Sequence, residues 1–280
     1  MTKSVQGALK QANQVLVAAG VQCATRDVRL LMAFTLGVQP YQISLLLNNV
    51  LDLSQQAIFD QVCAKRAARM PMSHILGYRD FYEHRFIVTP DVLDPRPETE
   101  NLVSLAFEED FMTVLDLGTG SGCILLSLLA NRRLSRGVGV DLSPKAISIA
   151  RRNAAKLQLS KQVDFFVSDW FSSVPITKFD LIVSNPPYIH PNAMADLSLE
   201  VLHEPEFALT DYSDGLSHYR QIAKSAHNFL APNGRLLFEI GFDQGPAVSA
   251  ILFDHQFRDI TVLPDLDNCP RVVACRSCHQ

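Results

Sequence analysis

Residues 115–122, Leu115-Asp116-Leu117-Gly118-Thr119-Gly120-Ser121-Gly122, constrain this chain more than any other segment. An apolar run passes through three glycines at alternate positions straight into a second apolar run of helix length. With no Cβ in the way, backbone at such a turn can approach a ligand closely, and the helix that follows offers its free N–H groups. A strand feeding a helix in this manner opens an α/β sheet, and the sequence from Phe111 onward continues in kind. Residues 113–117, 137–141, 163–167, 180–184, 235–240, 257–262 and 271–275 read as strands. Helices are expected over 122–130, 144–157, up to Leu230, and again after the fifth strand. Such alternation calls for a mostly parallel sheet of seven strands with helices on both faces, the last pair forming an antiparallel edge.

The front of the chain has a different period. Val5, Leu9, Ala12, Leu16 and Ala19 recur at helical spacing over residues 3–19, and Gly20 supplies a stop. Thr25 is positioned to cap a second helix that Gly37 ends, and Ser54 to open a third that ends before Pro71. A short helix over 42–47 fits between them. Residues 81–88, rich in aromatic and branched side chains, read as a hairpin or extended connector, and Pro90, Pro95 and Pro97 stiffen the next ten residues. The expected organisation is a helical domain at 1–76, a connector at 77–92 and an α/β domain at 93–280.

At 280 residues both domains have room for a core of their own. The N-terminus lacks the apolar centre of a signal peptide, and the most apolar run, residues 124–130, is too short to span a bilayer, so a cytoplasmic protein without membrane contact is expected. Residues 1–85 carry nine Lys/Arg against five Asp/Glu, leaving the remainder strongly acidic within a net charge of −4. A mildly basic front suits an anionic partner or simply a solvated surface, whereas an acidic rear argues against free-standing duplex-DNA binding. The six cysteines read as free thiols. Cys275-Arg-Ser-Cys278-His279 matches the spacing of c-type haem attachment, and with Cys269 it offers donors for zinc. Haem attachment follows export and the spacing suits no common zinc site, so a last strand with a frayed end is the plainer expectation, with no metal.

On its own the glycine turn serves NAD, FAD or S-adenosylmethionine (AdoMet) equally well. Two details favour AdoMet. The spacing is G-x-G-x-G, and Asp116 precedes it; a carboxylate is a poor neighbour for pyrophosphate but a good one for the cationic amino-acid end of AdoMet. Asp141, nineteen positions past Gly122 at the end of the second strand, can accept both ribose hydroxyls. Asp169 is then a candidate for the adenine amino group and Trp170, the only tryptophan, for packing near the base. Gly118, Thr119, Gly120, Ser121 and Gly122 would make up the rest of the cofactor site.

Asn185-Pro186-Pro187-Tyr188 closes the fourth strand, where a parallel sheet opens its ligand crevice. A planar nitrogen is a poor nucleophile because its lone pair is delocalised. Two fixed acceptors for its N–H bonds would leave that lone pair aimed at a methyl donor. The Asn185 side-chain oxygen offers one acceptor and the Pro186 carbonyl, stiffened by Pro187, the other; Tyr188 offers a flat face for stacking. The sequence therefore points to an AdoMet-dependent methyltransferase acting on an amide or aromatic-amine nitrogen, with S-adenosylhomocysteine as the second product.

These motifs resemble the peptide chain release factor N5-glutamine methyltransferases, the PrmC or HemK family. The likeness runs through Pro71-Met72-Ser73-His74-Ile75-Leu76-Gly77, Pro95-Arg96-Pro97-Glu98-Thr99-Glu100, the glycine loop and Ser168-Asp169-Trp170-Phe171. It continues in Asn185-Pro186-Pro187-Tyr188-Ile189, Glu204-Pro205 and Phe238-Glu239-Ile240-Gly241. The resemblance implies a Rossmann-like methyltransferase sheet behind a small helical substrate-recognition domain. It implies AdoMet at Gly118 to Gly122, Asp141 and Trp170, with the glutamine of a Gly-Gly-Gln loop in class 1 release factors held by Asn185 to Tyr188. Two positions depart from the family pattern: Asp94 stands where an apolar residue is usual, and Asn268-Cys269-Pro270-Arg271 lacks a glycine. The same chemistry admits a glutamine on a ribosomal protein or, less readily, adenine N6 in nucleic acid, whose enzymes extract the base and carry a basic reading domain. A non-catalytic AdoMet-binding module would not need Asn185.

Overall fold

The computed structural model describes residues 3–278, which divide into two units. The first runs up to Gly77 and takes in Ser198–His203. Its helices are α1 (Val5–Ala18), α2 (Ala24–Leu36), α3 (Leu53–Ala67) and α4 (Met72–Leu76), with a 3-10 turn at Pro40–Leu45 in place of the short helix expected over 42–47. Val5, Ala8, Ala12 and Leu16 line the buried stripe of α1, and Ser4 caps it by accepting the Gly7 amide at 3.2 Å. Two caps differ from the sequence reading. α3 opens on Asp52, whose carboxylate accepts the Gln55 amide at 2.8 Å while the Ser54 hydroxyl donates to that same carboxylate at 2.7 Å. The charged acceptor of a capping box outcompetes the serine. Thr25 lies within the first turn of α2, its hydroxyl donating to Asn13 at 3.0 Å, and Cys23 takes the cap position. Beneath the helices Arg66 donates to the fully buried Asp27 at 2.8 Å and to Glu200 at 3.0 Å; Arg69 grips Glu200 through two further bonds.

The second unit holds the hairpin β1 (Tyr78–Phe81) and β2 (His84–Ile87), then α5 (Glu100–Ala106) and the α/β sheet. Its elements are β3 (Thr113–Leu117), α6 (Cys123–Asn131), β4 (Arg136–Asp141), α7 (Pro144–Lys156), β5 (Val163–Val167) and β6 (Phe179–Ser184). After a long irregular stretch come α8 (Ser217–Ala226), β7 (Leu230–Glu239), α9 (Gly245–Asp254), β8 (Arg258–Pro264) and β9 (Pro270–Arg276). The strand order is β5-β4-β3-β6-β7-β9-β8, parallel through β7 and antiparallel at β9 and β8. This is the mostly parallel seven-strand sheet with an antiparallel edge that the alternation called for.

Side chains alternate between two buried layers, as the period of a strand requires. Val114, Leu181, Val183 and Leu237 pack with α6 and α7, while Leu115, Leu117, Ile182, Leu236 and Phe238 pack with α8 and α9. α4 and α5, of five and seven residues, are too short for periodicity to reveal. β7 starts at Leu230 instead of 235, because Phe179 pairs with Leu230 but Leu181 with Arg235, so residues 231–234 bulge out of register with Asn233 left-handed. In the final hairpin Asn268 adopts φ 62°, the conformation a glycine there would serve, so the missing glycine leaves the turn intact. Cys275 is buried in β9 and Cys278 exposed; His279 lies outside the described residues. Among the described residues no group of three or more His, Cys, Asp or Glu is arranged to hold a metal, and no helix is long and apolar enough to cross a membrane.

The strand order reverses beside β3, since β4 and β5 lie to one side of it and β6 and β7 to the other. The loops leaving the carboxyl ends of β3 and β6 diverge there and open a crevice.

Candidate active site

The crevice is a cavity of about 370 Å³, the size of a small-molecule site. Its wall includes Gly118 and Gly120 after β3, Asp141 and Leu142 after β4, Asp169 and Trp170 after β5, and Asn185 and Pro187 after β6. Asp91, Val92, Phe207 and Tyr212 contribute from the flanking loops.

Gly118, Gly120 and Gly122 all take positive φ, at 74°, 55° and 81°, which side chains resist, so the loop folds back over the end of β3. The Gly118 and Thr119 amides donate to the Val140 carbonyl, tying the loop to β4. Asp141 completes the anchorage: its two oxygens accept the Gly120 and Ser143 amides, each at 2.8 Å. Burial pushes its carboxyl upward in pKa, and the Ser143 and Gly120 amides oppose that shift.

Thr119, Ser121 and Asp116 are buried behind the loop. The Asp116 carboxylate accepts the Thr119 hydroxyl at 2.6 Å, and its other oxygen has no protein partner. Burial, aided by repulsion from Asp141, raises this carboxyl to about 7. After β5, the Ser168 hydroxyl donates to the Trp170 carbonyl at 2.8 Å and accepts the Ser173 amide at 2.9 Å. This knot holds Trp170 at φ 46°, with its ring beside Gly118 and 5.0 Å from that of His218. His218 also lines the cavity, and burial lowers its pKa against the pull of Asp211 and Asp169.

Ser184, the last residue of β6, donates to the Leu117 carbonyl at 2.7 Å and locks the end of β6 to the end of β3. Asn185 therefore emerges beside the glycine loop. Its amide nitrogen donates to the Thr99 hydroxyl at 3.3 Å. Tyr188 is largely enclosed, and burial pushes its hydroxyl up to about 12, so it stays protonated. Its carbonyl accepts a 3.1 Å bond from Gln244, whose side chain also holds the Gly215 carbonyl and the Gly241 amide. Arg96 donates to Glu204 at 2.6 Å and the Asp94 amide does so at 3.0 Å, joining the Pro-Arg-Pro-Glu-Thr-Glu segment to Glu204-Pro205. Asp94, the departure from an apolar residue, is buried there 3.8 Å from Arg79.

Of the residues picked from the sequence, Gly118, Gly120, Asp141, Asp169, Trp170, Asn185 and Pro187 share the cavity wall. Asp116, Thr119 and Ser121 are buried, and they, like Gly122, Pro186 and Tyr188, do not line it. Sequence reasoning assigns no role to Thr99, His218, Glu239 or Gln244. Gln244 and His218 carry no motif around them; Thr99 and Glu239 sit inside two of the segments that carry the family resemblance.

Residues 7–77 match the PrmC N-terminal domain and residues 108–244 a methyltransferase domain. A release factor glutamine methyltransferase of Cereibacter sphaeroides is 47% identical over 96% of this chain and 97% of its own length. One of Caulobacter vibrioides is 38% identical over 98% and 96%. Among solved structures, the hMettl16 catalytic domain in complex with a MAT2A 3′UTR hairpin superposes with a TM-score of 0.57 at 14% identity, covering 68% of this chain and 74% of that one, a likeness of fold alone. Identity of this order along nearly the whole of both chains places the chain in the release factor glutamine methyltransferase family.

Proposed function

We propose that this methyltransferase transfers the methyl group of AdoMet to the side-chain N5 of the glutamine in the Gly-Gly-Gln loop of class 1 peptide chain release factors, in the cytoplasm. One observation carries the reading: Asn185 stands on the wall of the cavity that Gly118, Gly120 and Asp141 also line. The names of the relatives supply the acceptor.

The donor set suits AdoMet. Left-handed Gly118 and Gly120 leave room for a ligand against the backbone, while Gly122 packs against Leu126 and Ala150; Asp141 has lone pairs beyond those engaged by Gly120 and Ser143, and Asp169 and Trp170 flank the same space. Bound there, AdoMet supplies a methyl group already activated by its sulfonium. The remaining task falls to the protein. Asn185 Oδ1 and the Pro186 carbonyl accept the two N–H bonds of the glutamine amide, and Tyr188, its hydroxyl neutral, packs on the amide plane. The lone pair is left facing the donor. Orientation of this kind is worth roughly 7–11 kcal/mol of a barrier, enough to dispense with a strong base or a metal. The N-methylated amide is strongly acidic while it still carries its extra proton and releases it to water.

The helical domain at 1–76, with its basic excess, is proposed to engage the body of the release factor, the connector at 77–92 linking it to the catalytic domain at 93–280. The test is direct. Isotope-labelled AdoMet is supplied with a release factor, a ribosomal extract or DNA, and the methyl group is mapped by mass spectrometry. Label on the Gly-Gly-Gln glutamine is expected; label confined to a ribosomal protein or to adenine would overturn the assignment.

A further inference from the structure

Amide methylation at this site needs the oxygen of the Asn185 carboxamide, and not its NH₂, to face the acceptor. The two ends of a carboxamide are nearly equal in size, so shape alone does not choose between them. Packing behind Asn185 does. Its nitrogen donates to Thr99 Oγ1 at 3.3 Å, and the Thr99 hydroxyl lies beside the carboxyl of Glu239, pulling its pKa down. Thr99 and Glu239 are 3% and 1% exposed, so water does not compete for these groups. The Glu239 main-chain carbonyl is held from the other face of the sheet by the Tyr219 hydroxyl at 2.9 Å.

We propose that Thr99 and Glu239 are positioning residues that set the direction of the Asn185 amide through a one-way chain of hydrogen bonds. An ionised carboxylate only accepts, so the single hydroxyl hydrogen of Thr99 is committed to Glu239. The Thr99 oxygen can then only accept from Asn185. The group facing it is NH₂, and Oδ1 is turned to the acceptor side. The inference rests on Asn185 serving as the acceptor-holding residue.

The chain reverses if Glu239 gains a proton. A carboxylic acid can donate to Thr99, whose hydrogen is then free to bond Asn185 Oδ1 and draw that oxygen away from the acceptor. Burial holds Glu239 up at about 7; Thr99 and the guanidinium groups of Arg271 and Arg96 pull it down, and Glu98 pushes it up. Tyr188, Tyr219 and Cys123, which also feel its charge, have hydroxyl and thiol groups that stay protonated throughout this range. Turnover in the wild type is accordingly expected to fall as pH drops through about 7.

Four variants decide the matter, measured by kcat and KM for release-factor methylation from pH 5.5 to 8.5, alongside AdoMet affinity by calorimetry and thermal melting. Thr99→Val keeps the shape and removes the relay; kcat is expected to fall on the order of tenfold, the worth of one neutral hydrogen bond, with AdoMet affinity unchanged. Thr99→Ser retains the hydroxyl and should recover most of that loss. Glu239→Gln can give or accept, so it should lose rate at pH 8 and lose the acid limb near pH 7. Asn185→Ala tests the foundation and should cost about 10²–10³ in kcat. Thr99→Val at wild-type rate, or an unchanged acid limb in Glu239→Gln, overturns the relay while an inactive Asn185→Ala leaves the function standing. An Asn185→Ala enzyme within tenfold of wild type overturns the reading beneath it. Folding defects are recognised by lost AdoMet binding, and Thr99→Ser, the mildest change, then carries the test through its pH profile, which must keep the wild-type acid limb.

Discussion

Gly215→Ala probes how tightly Tyr188 is held without touching the cavity wall. Gly215 sits at φ 76°, and a Cβ built on it would stand 2.6 Å from the Tyr188 carbonyl oxygen and 3.1 Å from the Gln244 amide nitrogen. The left-handed backbone costs an alanine about 1–2 kcal/mol. Relief of the contact to an ordinary 3.4 Å requires the Tyr188 carbonyl to withdraw by about 0.8 Å. That carbonyl cannot move alone, since Gln244 bridges it to the Gly215 carbonyl and to Gly241. A misplacement near 1 Å at a reacting centre costs about 10²-fold in rate, so kcat is expected to drop roughly 30–100-fold. Gly215 is absent from the cavity lining, so AdoMet affinity should stay within about threefold of wild type. With the steric strain added, the melting temperature should fall by roughly 4–10 °C. Single-turnover methylation of a release factor, with AdoMet titrated separately by calorimetry, resolves the two effects. A variant that melts lower but turns over within threefold of wild type would show that the Asp211–Gly215 turn yields instead of Tyr188, and the rigid-carbonyl argument would fail.

Three other perturbations draw on the same geometry. Asp141→Asn leaves one acceptor for two backbone amides and sets an NH₂ against the second, so the AdoMet dissociation constant should rise about 10–100-fold by calorimetry; a change under threefold would remove Asp141 from the cofactor site. Asp116 titrates near 7 in the folded chain and near 3.8 when unfolded, so the folded state binds the extra proton and stability is lost as pH rises from about 4 to 7; Asp116→Asn should gain relative to wild type over that interval in melts at stepped pH, and parallel curves would contradict the raised value. Arg66→Met leaves the buried Asp27 carboxylate with the exposed Arg26 as its one remaining ion-pair partner and should destabilise the helical unit by about 3 kcal/mol in urea titration, with most of that recovered by adding Asp27→Leu; a single-variant loss under about 1 kcal/mol would mean that Arg26 alone compensates the buried charge.

The features legible in the sequence are those carried by a short stretch of chain. Glycine at 118, 120 and 122 announces left-handed backbone locally, and β-branched and leucine runs announce strands two of whose faces are covered. Hence the seven strands and the loops at their carboxyl ends can be read directly. Cap competition is less legible: Ser54 and Asp52 are both good caps, and only the charge and the partner Gln55 separate them. The bulge at residues 231–234 is hidden because its cause is the register of β6, not anything in the bulge itself. The residues behind the site are hidden for a similar reason. Thr99 meets Asn185 across 86 positions and Gln244 meets Tyr188 across 56, contacts that exist only once the sheet is ordered.

The same ordering explains why one end of the sheet concentrates the chemistry. Ser184 fastens β6 to β3 and Asp141 fastens the glycine loop to β4, so the donor side and the acceptor side of the cavity are braced to the same strands. Neither loop can drift without breaking a bond that lies within the sheet or at its edge. A flexible acceptor loop would forfeit the orientational gain that a planar nitrogen requires, because the energy comes from geometry and not from a strong base. The rigid parts of the fold and the proposed acceptor-holding group thus meet at Asn185, whose backbone follows the Ser184 lock to β3 and whose side chain donates to the buried Thr99 behind it.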